Sequence, residues 1–312
     1  MTELPRIAIV TPSFNTAKYI GVAVRSVLDQ GYPNLDYLVM DGGSTDETAE
    51  ILRGFGDEVR WVSQKDDGQA DAIRRGFEQT GGEILTWLNS DDMFCPGAFN
   101  AVAEFFAAHP DVDVVYGDAN YVDAHGFLIS RCVHVEPYSQ RRLFDYSDFI
   151  VQPAAFFRRR AYEAVGGVDP RFHWALDYDL WLKMAPRFKF AYLPKVLANY
   201  RWLGNNKSAV GGGQRLDEID EVFRRMGRCP PAYVQLERVN QHISDGISQV
   251  LHGRLISAGG HAARAAGVLM SSPRAVVSLF SPHTWRIVWV GQVLRRRAVR
   301  VGREKTDKAS PS

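Results

Sequence analysis

The sequence has little cysteine, almost no net charge and no long apolar run, and each shortage excludes a class of protein. Its three cysteines, Cys95, Cys132 and Cys229, are odd in number and widely spaced. They predict neither a disulfide framework nor a zinc site, and they favour a reducing compartment. No apolar run reaches the roughly 18 residues of a spanning helix, and the N-terminal segment lacks the pattern of a signal peptide. We therefore expect a cytoplasmic protein.

Overall charge and composition identify no partner. The formal net charge is +1 over 312 residues, so we expect no nucleic acid to bind. Hydrophobic residues make up 46% and charged residues 23% of the chain, which is an ordinary globular composition. The sequence also lacks the glycine-rich loops of dinucleotide-binding proteins and of P-loop ATPases, which counts against both classes.

The first half of the chain alternates strand-like and helix-like segments. Short apolar runs predict strands over 6–11, 37–41, 59–63 and 84–89, and helical spacing predicts helices over 18–29, 46–53, 69–79 and 97–108. This rhythm predicts an α/β fold with a parallel sheet that helices cover on both faces. Ligands on such sheets bind beyond the carboxyl ends of the strands.

The pattern beyond residue 110 is less regular. It predicts strands over 114–116, 128–133 and 188–193, a helix over 176–185 and a mobile glycine-rich loop over 200–213. The spacing of Leu236, Val239, Ile243, Ile247 and Val250 predicts one apolar helix face. We expect a main domain over 1–213, a helical region over 214–301 and a disordered tail over 302–312.

Two adjacent carboxylates follow the predicted strand over 84–89. They lie in Asn89-Ser90-Asp91-Asp92. Magnesium or manganese needs only one or two protein carboxylates when phosphate oxygens complete its coordination, so this pair suits such a cation. The alternative is that Asp91 and Asp92 cap the helix that follows Pro96-Gly97.

Two other strand ends also carry polar residues. Asp41 ends the second predicted strand, where its carboxylate can accept from a nucleobase and the glycines after it let backbone approach a ligand. The alternative is a capped turn through Ser44 and Asp46, which leaves Asp41 unexplained. The segment Thr11-Pro12-Ser13-Phe14-Asn15 follows the first strand. It could surround a bound base or ribose, and the alternative is a simple turn.

Taken together, these segments resemble the family 2 glycosyltransferases, which have the GT-A fold. The resemblance rests on IAIVTPSFN over 7–15, SVLDQGY over 26–32, DGGSTDET over 41–48, NSDD over 89–92 and further segments between 152 and 183. It covers the first two thirds of the chain. It implies a mixed, mainly parallel sheet flanked by helices, and the helical region predicted over 214–301 would follow as a C-terminal extension.

The family resemblance also implies an activity. The enzyme would move a sugar, with inversion, from a nucleotide-diphosphate sugar to an acceptor hydroxyl. UDP is the default nucleotide, and the acceptor would be a saccharide or a lipid-linked saccharide. Bacterial-type surface polysaccharide or glycolipid assembly is the expected setting.

The family pattern implies a role for each matching residue. The donor-binding positions are Thr11, Pro12, Ser13, Asn15, Asp41, Gly68, Asp71, Ser90 and Asp91. Asp92, together with Asp91, would bind Mn²⁺ or Mg²⁺. Asp177 would be the base that takes the proton of the acceptor hydroxyl, and Asp179 and His173 remain alternatives for that role.

The sequence departs from the family pattern at four places. Asn89 stands where aspartate is frequent, Ile73-Arg74 replaces Arg-Asn, Leu176 replaces a glutamate, and Leu203 stands where a histidine is frequent. These changes leave the proposed metal and base carboxylates in place. They put the phosphate contacts and a histidine ligand in doubt.

The sequence disfavours two rival functions. A nucleotidyltransferase would need a glycine- and arginine-rich N-terminal loop, which the segment over 11–15 does not provide. A non-catalytic sugar-binding protein is disfavoured because Asp41, Asp91, Asp92 and Asp177 are all present. Measuring sugar transfer with added metal separates the three functions.

The last helical segment is rich in arginine. Six arginines lie between 286 and 303, and apolar residues share one face of the predicted helix. A basic amphipathic helix of this kind favours an anionic membrane surface, here the inner face of the membrane. The alternative is a helix packed on the protein or on a second subunit.

Overall fold

The computed structural model describes residues 4–203, 207, 212–251 and 255–271. The described residues form two compact units. The first contains residues 4–138 and 149–202, and the second contains residues 139–148 together with the described residues from 203 onward. The chain therefore passes between the units at three points.

The first unit is built on a mixed sheet. Its strands are β1 (Ile7–Ser13), β2 (Leu35–Asp41), β3 (Arg60–Ser63), β4 (Ile84–Trp87), β5 (Met93–Phe94), β6 (Val114–Val122), β7 (Leu128–Arg131), β8 (Ala155–Arg158) and β9 (Phe190–Arg201). Within residues 4–203 these nine strands pair in the order β3-β2-β1-β4-β8-β6-β9-β5, and β7 pairs with β6. Six strands run in one direction, and β5, β7 and β8 run against them. The sheet is thus mainly parallel.

Helices cover this sheet. They are α1 (Ala17–Leu28), α2 (Thr48–Arg53), α3 (Gln69–Glu78), α4 (Ala98–Ala108), α6 (Arg159–Ala164) and α7 (Leu176–Met184), while α5 (Gln140–Asp145) belongs to the second unit. Trp181 of α7 stacks on Trp87 of β4 with 6.1 Å between ring centroids. Phe157 of β8 meets both rings edge-on, so these aromatic side chains join α7 to the centre of the sheet.

The carboxyl ends of the parallel strands meet at one edge of the sheet. The last residue of β1, Ser13, pairs in register with Asp41 at the end of β2, and Asp41 pairs with Ser63 at the end of β3. Strand β4 lies on the other side of β1 and ends at Trp87. The loops after these four strands therefore lie side by side, as the alternating pattern predicts.

The second unit is helical where it is described. It contains α5, α8 (Gly212–Arg225), α9 (Ala232–Leu251) and α10 (Leu255–Ser271). Arg238 of α9 forms ion pairs with Asp217 and Asp220 of α8 at 2.7 and 2.5 Å. Phe144 of α5 meets Phe223 of α8 edge-on at 6.4 Å between centroids. A segment from the middle of the chain thus packs on helices that come later in the sequence.

The sequence predictions for this region are confirmed only in part. The predicted helix is present as α9, and Leu236 and Val239 are buried, but Ile243 is 49% exposed, so the predicted apolar face is not buried along its whole length. The predicted basic helix over 286–303 and the tail over 302–312 lie outside the described residues. In the part of the chain that is described, no helix is both long and apolar enough to cross a bilayer.

Candidate active site

Asn15 joins the loop after β1 to the loop after β2. Its backbone has φ of 52°, in the left-handed region that asparagine tolerates better than most residues. Its side-chain oxygen accepts from the Thr45 N–H at 2.8 Å, and its own N–H donates to Ser44 Oγ at 2.8 Å. Asn15 therefore holds two of the four strand-end loops together.

The other predicted donor-binding residues of the segment over 11–15 are not in a loop, because Thr11, Pro12 and Ser13 are buried residues at the end of β1. Thr11 is fully buried, with its hydroxyl 3.0 Å from that of Tyr37. Pro12 is buried too, and the Ser13 hydroxyl lies 2.7 Å from that of Thr16. Phe14, which the sequence reasoning did not select, is 60% exposed. The loop thus offers an aromatic ring and backbone to its surroundings, rather than these hydroxyls.

Asp41 organises the end of β2. Its carboxylate accepts from the hydroxyls of Ser44 and Ser63, each at 2.5 Å, and from the Ser44 N–H at 3.1 Å. Asp41 is 1% exposed. These contacts give it the structural role that the sequence left unexplained, since it holds the turn after β2 against the end of β3.

Asp66 lies beside this turn and was not among the predicted site residues. Its carboxylate fills the space in front of Gly42, where an added β-carbon would lie 2.8 Å from Asp66 Oδ2. Burial raises the pKa of Asp66, and the negative charges of Asp71 and Asp41 raise it further. The sequence does contain a sign of Asp66. It lies two residues before Gly68, in a second loop that contains both aspartate and glycine.

Gly68 and Asp71 shape the start of α3. Gly68 precedes the helix with φ of 105°, a conformation that favours glycine. Burial alone would raise the pKa of Asp71, but the Asp67 N–H at 3.3 Å and the ion pair with Arg75 at 3.3 Å lower it. Arg74, one of the departures from the family pattern, lies 3.6 Å from Asp71. Asp71 therefore has its own cationic partners.

A chain of hydrogen bonds runs through the loop after β4. Gln69 donates to the side-chain oxygen of Asn89 at 2.6 Å, and the Asn89 amide donates to Asp92 Oδ2 at 3.2 Å. The same amide lies 3.4 Å from Gln152 Oε1. Asp92 is 1% exposed and Ser90 is 6% exposed. Side chains from α3 and from the segment before β8 thus fix this loop.

Arg201 at the end of β9 contacts both aspartates of this loop. Its N–H donates to Asp92 Oδ1 at 2.8 Å, and its Nε donates to the Asp91 carbonyl at 2.7 Å. Burial raises the pKa of both aspartates, the charge of Asp91 raises that of Asp92 further, and the charge of Arg201 opposes both shifts. The pair is therefore a site where added positive charge is favourable.

The capping alternative for these aspartates is wrong. The helix α4 begins after Gly97, and the Ala98 N–H at its start donates to Gln30 Oε1 at 3.1 Å. The cap comes from a residue of the loop after α1, and the Asp92 carboxylate faces Arg201 instead. Among the described residues, no cluster of three or more His, Cys, Asp or Glu side chains could hold a metal ion. A cation here would need Asp91, Asp92 and oxygens of a bound ligand.

The helix α7 carries the candidate base. Asp177 is half-buried in its first turn, where its Oδ1 accepts from the Tyr178 N–H at 2.9 Å. Asp179 is 5% exposed and forms an ion pair with Lys183 at 2.9 Å. Asp177 lies one helical turn before Trp181, whose ring stacks at the end of β4. Of the two carboxylates, Asp177 is the more accessible.

The family model described as "Glycosyl transferase family 2" matches residues 8–166, about half of the chain. The chain belongs to this family. Its likeness to chondroitin synthase of Escherichia coli is 28% identity over 248 residues, which is 77% of this chain and 36% of that protein. Hyaluronan synthase of Pasteurella multocida is 28% identical over 211 residues, 67% of this chain and 22% of that protein. The chain spans about a third or less of the length of these relatives.

Solved structures show the same fold. The S. aureus TarS 1-349 structure in complex with UDP-GlcNAc superposes with a TM-score of 0.60 at 17% identity, over 98% of this chain and 92% of that one. The mannosyltransferase PcManGT from Pyrobaculum calidifontis, in complex with GDP-Man and Mn²⁺, gives 0.58 at 20% identity, over 96% and 87%. The GT-A fold implied by the sequence is confirmed.

Proposed function

We propose that this family 2 enzyme is a metal-dependent, inverting glycosyltransferase with a nucleotide-diphosphate sugar as donor, UDP-linked by default. One observation carries the proposal: Asp91 and Asp92 follow the carboxyl end of β4 as neighbours, where Asn89 and the Arg201 N–H bind the Asp92 carboxylate and the Arg201 side chain binds the Asp91 carbonyl. The complexes of TarS with UDP-GlcNAc and of PcManGT with GDP-Man and Mn²⁺ support it by analogy of fold.

The two aspartates differ as metal ligands. Both oxygens of Asp92 already accept hydrogen bonds, and its side chain is buried. Asp91 is half-buried and therefore more accessible to a ligand. Asp92 and Asp91 would together hold Mn²⁺ or Mg²⁺, and Asp91 is the more accessible of the two. A bound cation would supply positive charge that stabilises the leaving diphosphate.

The loops after β1, β2 and β3 would bind the nucleoside part of the donor. Asn15 and Asp41 fix the shape of these loops, and Thr11, Pro12 and Ser13 support them from inside. Phe14 would offer its exposed ring to the base. Gly68 and Asp71 would shape the part of the donor site that lies at the start of α3. Ser90 is buried, so it would contact the donor through the backbone of the loop after β4.

Asp177 would act as the general base. The oxygen of the acceptor hydroxyl forms the new bond to the anomeric carbon, the bond from that carbon to the diphosphate breaks, and the proton passes to the Asp177 carboxylate. This single displacement inverts the anomeric centre. The ion pair with Lys183 leaves Asp179 poorly placed for the same task, and exposed His173 packs edge-on against Trp174 at 4.9 Å.

The acceptor would be a saccharide or a lipid-linked saccharide. The chain is similar to proteins named chondroitin synthase and hyaluronan synthase, which supports a role in surface polysaccharide assembly. The arginine-rich sequence over 286–303 supports binding of the enzyme to the inner face of a membrane.

A panel of nucleotide-sugars tests the proposal. Each is added to the full chain with MnCl₂, and the melting temperature is measured, because a ligand at a hundredfold its Kd stabilises a fold by about 2.7 kcal/mol. We expect one nucleotide-sugar to raise the melting temperature most and to support sugar transfer that EDTA abolishes. Full transfer in EDTA would contradict metal dependence. The rival nucleotidyltransferase activity would instead be supported if the protein released pyrophosphate when supplied with a nucleoside triphosphate and a sugar phosphate.

A further inference from the structure

The side chain of Arg201 joins two loops that are far apart in sequence. Arg201 is 3% exposed. Its Nε donates to the Asp91 carbonyl at 2.7 Å, and its Nη1 donates to the carbonyls of Asp123 and Ala124 at 3.0 and 3.1 Å. Residues 123 and 124 open the turn between β6 and β7. The guanidinium therefore bridges the carboxylate-bearing loop and this turn.

Two further contacts fix the plane of the guanidinium. Its Nη2 lies 3.4 Å from the sulfur of Met93, and its Cζ lies 4.9 Å from the centroid of the Tyr19 ring in α1. A guanidinium offers five donors in a rigid, planar fork, whereas a lysine offers one ammonium that cannot span three carbonyls in this way. The arrangement thus requires arginine specifically.

The same residue acts on both aspartates. Its backbone N–H donates to the Asp92 carboxylate, and its side chain holds the Asp91 backbone. The Asp91 carboxylate projects from a peptide unit whose carbonyl is anchored in this way. Any shift of the guanidinium would therefore change the relative placement of the two carboxylates.

We propose that Arg201 is a positioning residue that sets the geometry of the Asp91–Asp92 pair and couples it to the turn between β6 and β7. It acts through these two residues and donates no group to the reaction. The inference deepens the proposed function, since the aspartates it positions are the proposed metal ligands. Its direct consequence, the coupling of two loops, is independent of any ligand.

Arg159 provides a matched control. Its guanidinium also donates to three backbone carbonyls, those of Gly82, Phe77 and Thr80, at 2.7, 3.0 and 2.8 Å. These carbonyls lie before the amino end of β4, at the opposite end of that strand from Asp91. Replacing Arg159 by lysine therefore removes the same kind of guanidinium–carbonyl hydrogen bonds and leaves the loop that carries Asp91 and Asp92 unchanged.

The first measurement needs no ligand. Hydrogen–deuterium exchange is followed in EDTA for the full chain, for Arg201→Lys and for Arg159→Lys. We expect faster exchange in Arg201→Lys for peptides covering 89–94 and 122–127 together, and unchanged exchange there in Arg159→Lys. Unchanged exchange over 89–94 in Arg201→Lys would overturn the proposal, whether or not the enzyme uses a nucleotide-sugar.

The second measurement uses UDP as the probe. Calorimetric titrations of UDP at a series of MnCl₂ concentrations give the Mn²⁺ concentration that half-saturates UDP binding. We expect Arg201→Lys to raise that concentration at least tenfold and Arg159→Lys to leave it unchanged, even if both lower the melting temperature equally. Equal Mn²⁺ requirements in Arg201→Lys and the unaltered protein would overturn the proposal. Absence of Mn²⁺-dependent UDP binding in the unaltered protein would count against the proposed donor, and the exchange experiment would still decide the role of Arg201.

Discussion

The side-chain amide of Asn89 donates to a carboxylate oxygen of Asp92 across 3.2 Å. Gln69 fixes the direction of that amide, because its own donor lies 2.6 Å from the Asn89 oxygen. An aspartate, which is frequent in the family at this position, would present a negative charge to Asp92 instead of a donor. Asn89 therefore lets a buried carboxylate sit in this loop with one fewer like charge beside it.

Asn89→Asp should make the fold depend on metal. In EDTA we expect the melting temperature to fall by roughly 2–5 °C, since a lost hydrogen bond to a buried group costs about 1–3 kcal/mol. Added MnCl₂ should recover most of this loss, and it should stabilise the variant more than the unaltered protein. Differential scanning fluorimetry with and without MnCl₂ measures both effects. The control for an added charge is Asn100→Asp, on the exposed face of α4. Equal melting temperatures in EDTA for the unaltered protein, Asn89→Asp and Asn100→Asp would contradict the proposed role of the Asn89 hydrogen bond.

The first half of the fold was predictable because its strands are short apolar runs between clear turn signals. All eight elements predicted there are present within about two residues as β1 to β4 and α1 to α4, a smaller error than is usual for element ends. Strand β5 escaped prediction because Met93–Phe94 is only two residues long. Strand β8 escaped because Ala155–Arg158 runs directly into a helix. Strand β9 extends to Arg201, inside the predicted loop over 200–213, because its pairing with β6 overrides the polar local sequence.

The site was predictable as a set of strand ends but not as a set of contacts. Local patterns point to Asp41, Asp91 and Asp92, which are carboxylates at strand ends, and the family resemblance points to Asp177. They do not reveal that Asp41 binds Ser63, 22 residues later, or that Arg201 binds the loop 109 residues before it. Such partners depend on the order of strands in the sheet, which no short window of sequence contains.

Asp41→Ala should affect both stability and donor binding. Three donors, from Ser44 and Ser63, lose their acceptor, so we expect a loss of about 1–3 kcal/mol in the free energy of unfolding. If Asp41 also contacts the nucleobase, the Kd for UDP should rise roughly tenfold to a hundredfold. Urea unfolding without ligand and calorimetry with UDP separate the two effects.

Ser63→Ala is the matched control for Asp41. It removes one of the same hydrogen bonds and should cost about 0.5–1.5 kcal/mol with the Kd for UDP nearly unchanged. An unchanged Kd in Asp41→Ala would show that Asp41 only shapes the turn. An equal rise in Kd for both variants would assign the effect to the turn as well.

Two helical glycines should respond oppositely to alanine. At Gly76 of α3 an added β-carbon would lie 2.5 Å from Val10 Cγ1, so Gly76→Ala must push the helix off β1 and should cost about 1–3 kcal/mol. At Gly21 of α1 the nearest atom is Ile51 Cγ2 at 3.5 Å, which is ordinary contact. Gly21→Ala should therefore stabilise by about 0.5–1 kcal/mol through helix propensity. Urea unfolding of both variants measures the difference, and destabilisation by Gly21→Ala would contradict it.

Neutralising Arg295, Arg296 and Arg297 to glutamine in the full chain should weaken binding to anionic vesicles. Each basic residue near such a surface contributes about 1 kcal/mol, so three should change the partition coefficient by roughly a hundredfold. Co-sedimentation with phosphatidylserine-containing vesicles measures it. The control is glutamine at Arg141, Arg171 and Arg224, whose side chains are 79%, 67% and 72% exposed. Equal binding by the two triple variants would favour a helix that packs on protein.

Asp177→Asn and Asp179→Asn should fail in different ways. If Asp177 removes the acceptor proton, its amide keeps the shape of the side chain and loses the basicity, so kcat should fall by roughly 10²–10⁴ while the Kd for the donor is unchanged. Asp179→Asn breaks the buried ion pair with Lys183, whose ammonium also donates to the Gly167 carbonyl at 2.6 Å. That change should lower the melting temperature and leave most of kcat. The discriminating data are kcat, donor Kd and melting temperature for both variants. A near-normal kcat in Asp177→Asn, with a collapse of kcat in a folded Asp179→Asn, would transfer the role of base to Asp179.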